Sequence, residues 1–424
     1  MANRLLHTPE GVRDIYSTEC SRKLALENAM LNVLYLYGYE HIETPSFEYF
    51  DIFNKDRGSV GDREMFKFFD RDNNTLVLKP DMTPAVARCV AKYYMDEKNP
   101  LRLCYLERTF KNNTSYQGRL KETTQTGAEL IGDDSPQADA ELLAMIIESL
   151  KAAGLKEFQV ELGHADFYRG LAEEAGMDEE TQEILRDLIE NKNYFGVEEL
   201  LMSRGVKEET KQGFLKLLEL FGSAEQIGQA RELTSNPRAL KAMERLEQIQ
   251  KLLEDYGLAD YVSYDLGMVS RYQYYTGIIF KGYTYGTGDY IVTGGRYDRL
   301  LEQFGKNSPA VGFAIEVDRV LIALSRQQIE IPTQKPCALI LFEASAQSPA
   351  IRLAREIRNQ SCSVVTSVKS GDVSMEDYKK MTSDRQIPMI LYLGGTGETI
   401  EKMELDTGTI SRIPYSRYRM EELV

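Results

Sequence analysis

The chain has 424 residues, with 51 lysines and arginines against 66 aspartates and glutamates, for a formal charge of −15. That length exceeds what one hydrophobic core organises and points to two or three domains, while the acidic balance argues against gripping nucleic acid through general charge. The opening MANRLLHTPEGVRDIY lacks a signal-like apolar stretch, and no run approaches the ~18 apolar residues of a membrane span, so neither secretion nor a membrane partner is expected.

The spacing of apolar residues predicts a helix over 17–38, with Ser17 and Thr18 as N-cap candidates, Leu24, Leu31 and Leu34 as its stripe and Gly38 as its end. Short strands follow at 40–44, 65–70 and 75–79. Residues 101–110 and 121–132 read as two strands joined by the polar loop KNNTSYQGRL, followed by a helix over 139–153 and a strand over 157–163. Residues 166–256 hold little but helix-forming stretches, such as 179–190 and 210–220, and read as a helical insertion in a β-rich domain. Strands resume at 278–283 and 289–293, then a turn at Gly294–Gly295, a helix over 297–304, and a strand running into a helix over 311–324. A linker over 326–336, with Pro332 and Pro336, precedes strand–helix alternation at 338–342, 348–360, 362–368, 375–383 and 389–393. That alternation is the pattern of a small α/β domain with a largely parallel sheet. The fold class expected is α+β, with a core over 1–325 that carries the insertion and an α/β unit over 337–424.

The common catalytic signatures are missing. No Walker-type loop is present, and Gly286-Thr-Gly288, Gly294-Gly295 and Gly394-Gly-Thr-Gly397 read as turns. His7, His41 and His164 fall in no nucleophile or metal motif and read as structural. Five scattered cysteines without a CxxC pair read as reduced, mostly buried thiols of a cytoplasmic protein, so no metal and no cofactor is expected. Polar residues on strands are what remains. Gln125 and Glu129 are four apart, so the two-residue period of a strand puts both on one face, with Thr123 and Gly127 leaving room beside them. Lys79-Pro-Asp81-Met-Thr83 sets an acid and a hydroxyl before a helix, and Tyr274-Tyr275 opens a strand. Each alone also fits a solvated strand face or a capped helix. Together they supply acids, an amide and aromatic walls, the means of holding an amino acid by its cationic amine.

At this point a family resemblance enters. TPEGVRDI near the start, YGYEHIETP ending at Pro45, LKPDMTPAVAR at 78–88, LERTFKNNTSYQGRLKETTQTGAELIG at 106–132, MVSRYQYYTGIIF at 268–280, and TGGRYDRLLEQFG followed by PAVGFAIEVDRVL form ordered blocks between about residue 8 and 325. They resemble the histidyl-tRNA synthetases, a class II aminoacyl-tRNA synthetase family, which implies an antiparallel sheet core and a homodimer built through its first motif. Carried over residue by residue, the resemblance assigns Asp81 and Thr83 to a histidine amino group and Gln125 and Glu129 to the amine and imidazole region. Tyr274 and Tyr275 would close around the ring, with Arg119 and Tyr297 near its edge.

The departures bear on activity. The family's second motif carries an arginine where this chain has Lys111, and its histidine-specific signature an arginine where this chain has Ser270, with Arg271 one position late; Asp81 replaces a glutamate. Adenylate formation needs preorganised cations, and a planar guanidinium is poorly replaced by an ammonium. Lys111 remains in the histidine set, and Arg319 alone survives as a possible nucleotide contact. A kept amino-acid pocket with lost phosphate arginines resembles the regulatory subunits of short-form ATP phosphoribosyltransferase. The resemblance implies a non-catalytic partner of the short catalytic subunit, required for the first step of histidine biosynthesis and relaying feedback inhibition by histidine. Residues 336–424 resemble an anticodon-binding domain but hold 11 basic against 12 acidic side chains, so tRNA is not the expected partner. A histidine–tRNA ligase with unusual substitutions and a stand-alone histidine sensor are the alternatives.

Overall fold

The structure, a computed structural model, describes residues 6–53, 60–113, 119–269 and 274–418. The chain divides into two compact units, Met1–Ile331 and Pro332–Val424. In chain order the first unit holds α1 (Ser17–Leu36), β1 (Glu40–His41), β2 (Phe47–Tyr49), β3 (Lys67–Phe69), β4 (Thr75–Leu78), α2 (Thr83–Tyr93), β5 (Leu101–Phe110), β6 (Glu122–Ile131), α3 (Pro136–Ala152) and β7 (Phe158–His164). There follow α4 (Ala165–Glu174), α5 (Glu179–Glu190), α6 (Tyr194–Ser203), α7 (Glu208–Leu217), β8 (Phe221–Gly222), α8 (Glu225–Arg231), α9 (Pro237–Asp255), β9 (Val262–Asp265), β10 (Ile278–Thr284), β11 (Val292–Arg296), β12 (Ala310–Glu316) and α10 (Val317–Arg326).

One large sheet runs β1-β5-β6-β12-β11-β10-β7-β9-β8, antiparallel from β5 through β7, with β1 and β9 joining in parallel. The two-residue period divides its side chains between two layers. Cys104, Ala128, Leu130, Val311, Phe313 and Ile315 face an apolar layer shared with Leu26, Met30 and Leu34 of α1 and Leu142, Leu143 and Ile146 of α3. Leu103, Tyr105 and Ile131 face the opposite layer, with Met82, Val86 and Val90 of α2 and its neighbourhood, together with Tyr274, Tyr275 and Tyr297. The helical segment is not a separate body. Leu185, Val197, Phe214, Met243 and Leu246 belong to the same apolar cluster as the sheet. A smaller sheet of order β2-β4-β3 precedes α2.

Two buried carboxylates lock these layers. Asp139 of α3, fully buried, accepts Arg245 Nε of α9 at 2.7 Å and Arg296 Nη2 and Nε of β11 at 2.7 and 3.0 Å. Arg296 also donates to the Asp133 carbonyl and to Asp298 Oδ1, so the guanidinium is almost saturated. Asp318, at the start of α10, accepts Lys23 Nζ of α1 at 2.7 Å and the Thr124 amide of β6 at 2.7 Å.

Several local expectations are corrected. Neither Ser17 nor Thr18 caps α1; Tyr16 holds the N-cap position, with no side-chain cap bond. Gly294–Gly295 is no turn but the middle of β11, where a Cβ on Gly294 would lie 2.3 Å from the Gly312 carbonyl oxygen and one on Gly295 2.6 Å from that of Ile278. Close strand approach mimics a turn signal here. Of the helix expected over 297–304, only a short 3-10 turn at Leu301–Phe304 forms. Among the five cysteines Cys104 is buried and the others half-buried. His164 ends β7 and caps α4 through its Nδ1, and burial lowers its pKa to about 4.

The second unit holds β13 (Ala338–Phe342), α11 (Gln347–Asn359), β14 (Val364–Val368), α12 (Met375–Asp384), β15 (Met389–Leu393), β16 (Thr399–Glu404) and β17 (Ile410–Pro414). Its sheet runs β14-β13-β15-β16-β17, parallel across the first three strands and antiparallel beyond. The sheet is therefore mixed rather than largely parallel. Its β16–β17 hairpin escaped the sequence reading because β17, an edge strand, buries almost none of its residues and leaves no apolar alternation to see. Among the described residues no helix is long and apolar enough to cross a membrane, and no cluster of His, Cys, Asp or Glu could hold a metal ion.

Replacing Asp139 by Asn keeps the shape but leaves two guanidinium groups facing a neutral amide. Removing one partner of a buried ionic cluster costs about 3–5 kcal/mol. The urea midpoint of Asp139→Asn should fall accordingly, and an unchanged midpoint would contradict the locking role.

Candidate functional site

A cleft with about 460 Å³ of non-atom space, partly open to solvent, lies on the α2 side of the large sheet. Its floor comes from β6 and β12, whose register places Glu129 opposite Gly312 and Gln125 opposite Glu316. Tyr274, Tyr275, Tyr290, Thr293 and Tyr297 form its walls, and Asp81, Thr83 and Lys111 its rim. The tyrosines brace one another, Tyr274 tilted against Tyr275 at 4.8 Å between centroids and edge-on to Tyr297 at 6.1 Å.

Glu129 lies at the bottom. It is fully buried and accepts Thr83 Oγ1 at 2.9 Å and the Tyr297 hydroxyl, donors from α2 and from the segment after β11. Burial pushes its carboxyl up to about 8, against the opposing pull of the Tyr297 and Thr83 hydroxyls. Space for this carboxylate exists because residue 312 is glycine; a Cβ there would lie 1.6 Å from Glu129 Oε2. Gly127 serves a different end from the one expected. The room it leaves on the sheet is filled by Tyr105, whose hydroxyl would lie 2.6 Å from an added Cβ.

The rim is held by buried polar contacts. Lys79, fully buried, donates to Glu107 Oε2 at 2.6 Å and to the Thr44 carbonyl at 3.0 Å, fixing the chain two residues before Asp81. Asp81 Oδ1 accepts the Met82 amide at 2.7 Å as α2 begins. At the far end Lys306 donates to the carbonyls of Tyr94, Met95 and Glu97, satisfying acceptors left by the end of α2.

Asp81, Thr83, Lys111, Gln125, Tyr274, Tyr275 and Tyr297 thus line one cleft, with Glu129 beneath them. Arg119 is exposed and not among the lining residues. Arg319 is engaged elsewhere, bonded to the Tyr290 carbonyl, paired with Asp289 Oδ2 at 3.0 Å and stacked over the Tyr290 ring at 4.8 Å. Ser270 and Arg271 lie outside the described residues. The sequence reading missed Glu316, Tyr290, Thr293 and Gly312 in the lining. For Glu316 a signal was available, an acid sharing strand parity with Gly312 in the apolar run AVGFAIE.

A family model for histidyl-tRNA synthetase matches residues 11–320. A protein of Acetivibrio thermocellus named ATP phosphoribosyltransferase regulatory subunit is 39% identical over 98% of this chain and 99% of its own length. One of the same name from Clostridium kluyveri is 41% identical over 76% of this chain and 83% of its own. The solved structure of an ATP phosphoribosyltransferase regulatory subunit/histidyl-tRNA synthetase from Bacillus halodurans superposes with a TM-score of 0.83 at 33% identity, covering 92% of this chain and 99% of that one. A histidyl-tRNA synthetase from Nostoc shares the fold alone, with a TM-score of 0.84 at 19% identity over 99% and 98% of the two chains.

The raised pKa of Glu129 has a measurable sign. In the folded protein the carboxyl keeps its proton to about pH 8, whereas in the unfolded chain it releases it near the ordinary 4.5. Its contribution to stability is therefore full below the lower value, declines as pH rises through that window, and levels off above it. Thermal unfolding of the wild type and Glu129→Gln should diverge in favour of the variant across that window and run parallel above it. A pH-independent difference would show that Glu129 does not hold a proton.

Proposed function

This chain belongs to the family of ATP phosphoribosyltransferase regulatory subunits built on the histidyl-tRNA synthetase fold, and on that basis we propose that it is the non-catalytic subunit of a hetero-oligomer with the short catalytic chain. In this reading it is required for phosphoribosyl transfer in the first step of histidine biosynthesis and relays feedback inhibition by histidine bound in the cleft, a role that places it in the cytoplasm. The observation that carries the reading is the cleft's charge. Asp81 and Glu316 share the lining with Lys111, the one cationic side chain among the described lining residues, above the proton-holding Glu129, while Arg319 is held by Asp289. Such a lining suits an ammonium-bearing ligand better than a nucleoside triphosphate under attack, whose pentavalent phosphorus calls for several fixed cations. For histidine to inhibit at a distance it must bind two quaternary states unequally.

Charge elsewhere favours a protein partner over tRNA. Residues 166–256 carry 20 acidic against 12 basic side chains, and 336–424 carry 12 against 11. A homodimeric core also fits the surface. Phe47, Tyr49 and Phe69 on the small sheet, and Tyr93 at the end of α2, are exposed aromatics of the kind a second copy covers.

Mixing the purified chain with a short ATP phosphoribosyltransferase chain should raise phosphoribosyl transfer, and histidine should lower it again. Failure to associate or to activate would sink the assignment, and ATP–pyrophosphate exchange driven by histidine would favour a ligase instead. Glu129→Ala and Gln125→Ala should abolish histidine binding by calorimetry while association persists; unchanged affinity would place histidine elsewhere.

A further inference from the structure

The two cysteines of the second unit stand against each other. Cys337 directly precedes β13, and Cys362 lies two residues before β14, the strand beside it in the sheet. The parallel pairing of Ala338 with Val364 continues one step back, where the Cys337 amide donates to the Ser363 carbonyl at 2.8 Å. Cys362 is thus the diagonal neighbour of Cys337. A strand spacing of about 4.8 Å and a rise of about 3.3 Å per residue put their Cα atoms roughly 6 Å apart, inside the range a disulfide spans.

The side chains agree with the backbone. The chain bends at Cys337, and both cysteines pack against one apolar cluster, which includes Ala338, Leu353 and Val364. The Cys337 thiol is pushed up by burial and then by the Cys362 thiol, with which it also shares a hydrogen bond. Cys362 is tied in turn by its amide, which donates to the Ile357 carbonyl of α11 at 3.4 Å. Backbone bonds on both sides therefore hold the two sulfurs together. Both residues are half-buried, within reach of a small solute. Cys104, by contrast, is buried, and burial pushes its thiol up to about 11. Cys20 and Cys89 lie on α1 and α2.

We propose that Cys337 and Cys362 form a redox modification site, closing to an intrachain disulfide by exchange with a low-molecular-weight disulfide and reopening when small thiols are in excess. One cysteine thiolate attacks the small disulfide, giving a mixed disulfide and releasing one small thiolate. The second cysteine, as its thiolate, then attacks the protein sulfur of that mixed disulfide and displaces the other. Two protein S–H bonds are lost and one S–S bond is made, while the small disulfide is reduced to two thiols that take up the two protons. The new bond closes a loop holding β13 and α11, so it staples the first strand–helix–strand step of the second unit. This site is independent of the cleft and of its ligand.

The test is to incubate the reduced full chain with oxidised glutathione, quench it with N-ethylmaleimide in denaturant, and digest it without reductant for mass spectrometry. The expected product joins the peptides of Cys337 and Cys362 and leaves Cys20, Cys89 and Cys104 blocked by the maleimide; dithiothreitol should reverse it. Amide hydrogen exchange over 338–361 should slow at least about tenfold in the oxidised chain, because the bond removes freedom from the opened state. Cys337→Ser should lose both the cross-link and the slowing. The wild-type mapping needs no mutation and stands even if the variant folds poorly. A cross-link between other cysteines, chains joined to one another, glutathione adducts that never resolve, or no reaction at all would each overturn the site. Unchanged exchange once the bond has formed would overturn the staple.

Discussion

The burial of Glu129 organises the cleft. A carboxyl group under a protein sheet is unfavourable unless its oxygens are met, and here they are met by hydroxyls from separate elements, Thr83 of α2 and Tyr297 beyond β11. Meeting that demand brings α2 over the sheet face and draws the Tyr297 segment inward, so the rim and one wall take their positions from a group at the floor. Gly312 is part of the same demand, since any side chain there would occupy the carboxylate's place. The carboxyl beneath the cleft is therefore oriented by the fold itself, before anything occupies the space above it.

The sheet under this acid is held from its other side. Asp318 joins α1, β6 and α10, and Asp139 joins α3, α9 and β11. Each is a buried carboxylate with donors on several elements, and Arg296, bound to Asp139, directly precedes Tyr297 in the chain. Apolar packing supplies the bulk of the core, but apolar contacts tolerate sliding. The ion clusters add directional bonds that tie α1, α3, α9 and α10 to particular positions on β6 and β11.

Much of this was legible in the sequence. Strands 101–110 and 338–342 have the bounds their apolar patterns indicate, and Gln125 and Glu129 share a sheet face as their parity indicates, Gln125 in the cleft lining and Glu129 buried beneath it against Thr83 and Tyr297. What escaped had physical reasons. Gly294–Gly295 has the composition of a turn yet lies mid-strand, because local propensity carries no information about how closely β10 and β12 approach. Glu316 was passed over because an acid at the end of an apolar strand looks like the first turn of the helix that follows. Its role in the cleft depends on a partner nearly two hundred residues earlier in the chain. Arg319 shows the converse. Its place in the motif was readable, but its engagement by Asp289 and Tyr290 depends on a loop whose path no spacing rule gives.

The Asp139 cluster also limits how this chain can be shortened. The helices between β7 and β9 look like a cassette inserted into a sheet, and cassettes of that kind are where chain length usually varies. Here α9 carries Arg245, so a deletion that removed it would strip Asp139 of one of its two cations and pull on Arg296 beside the cleft wall. α5 and α6, by contrast, pack on each other and on α7, outside that cluster. Removing α5 and α6 would leave the Asp139 cluster whole but open the apolar cluster that Leu185 and Val197 share with the sheet, whereas removing α9 would break both at once.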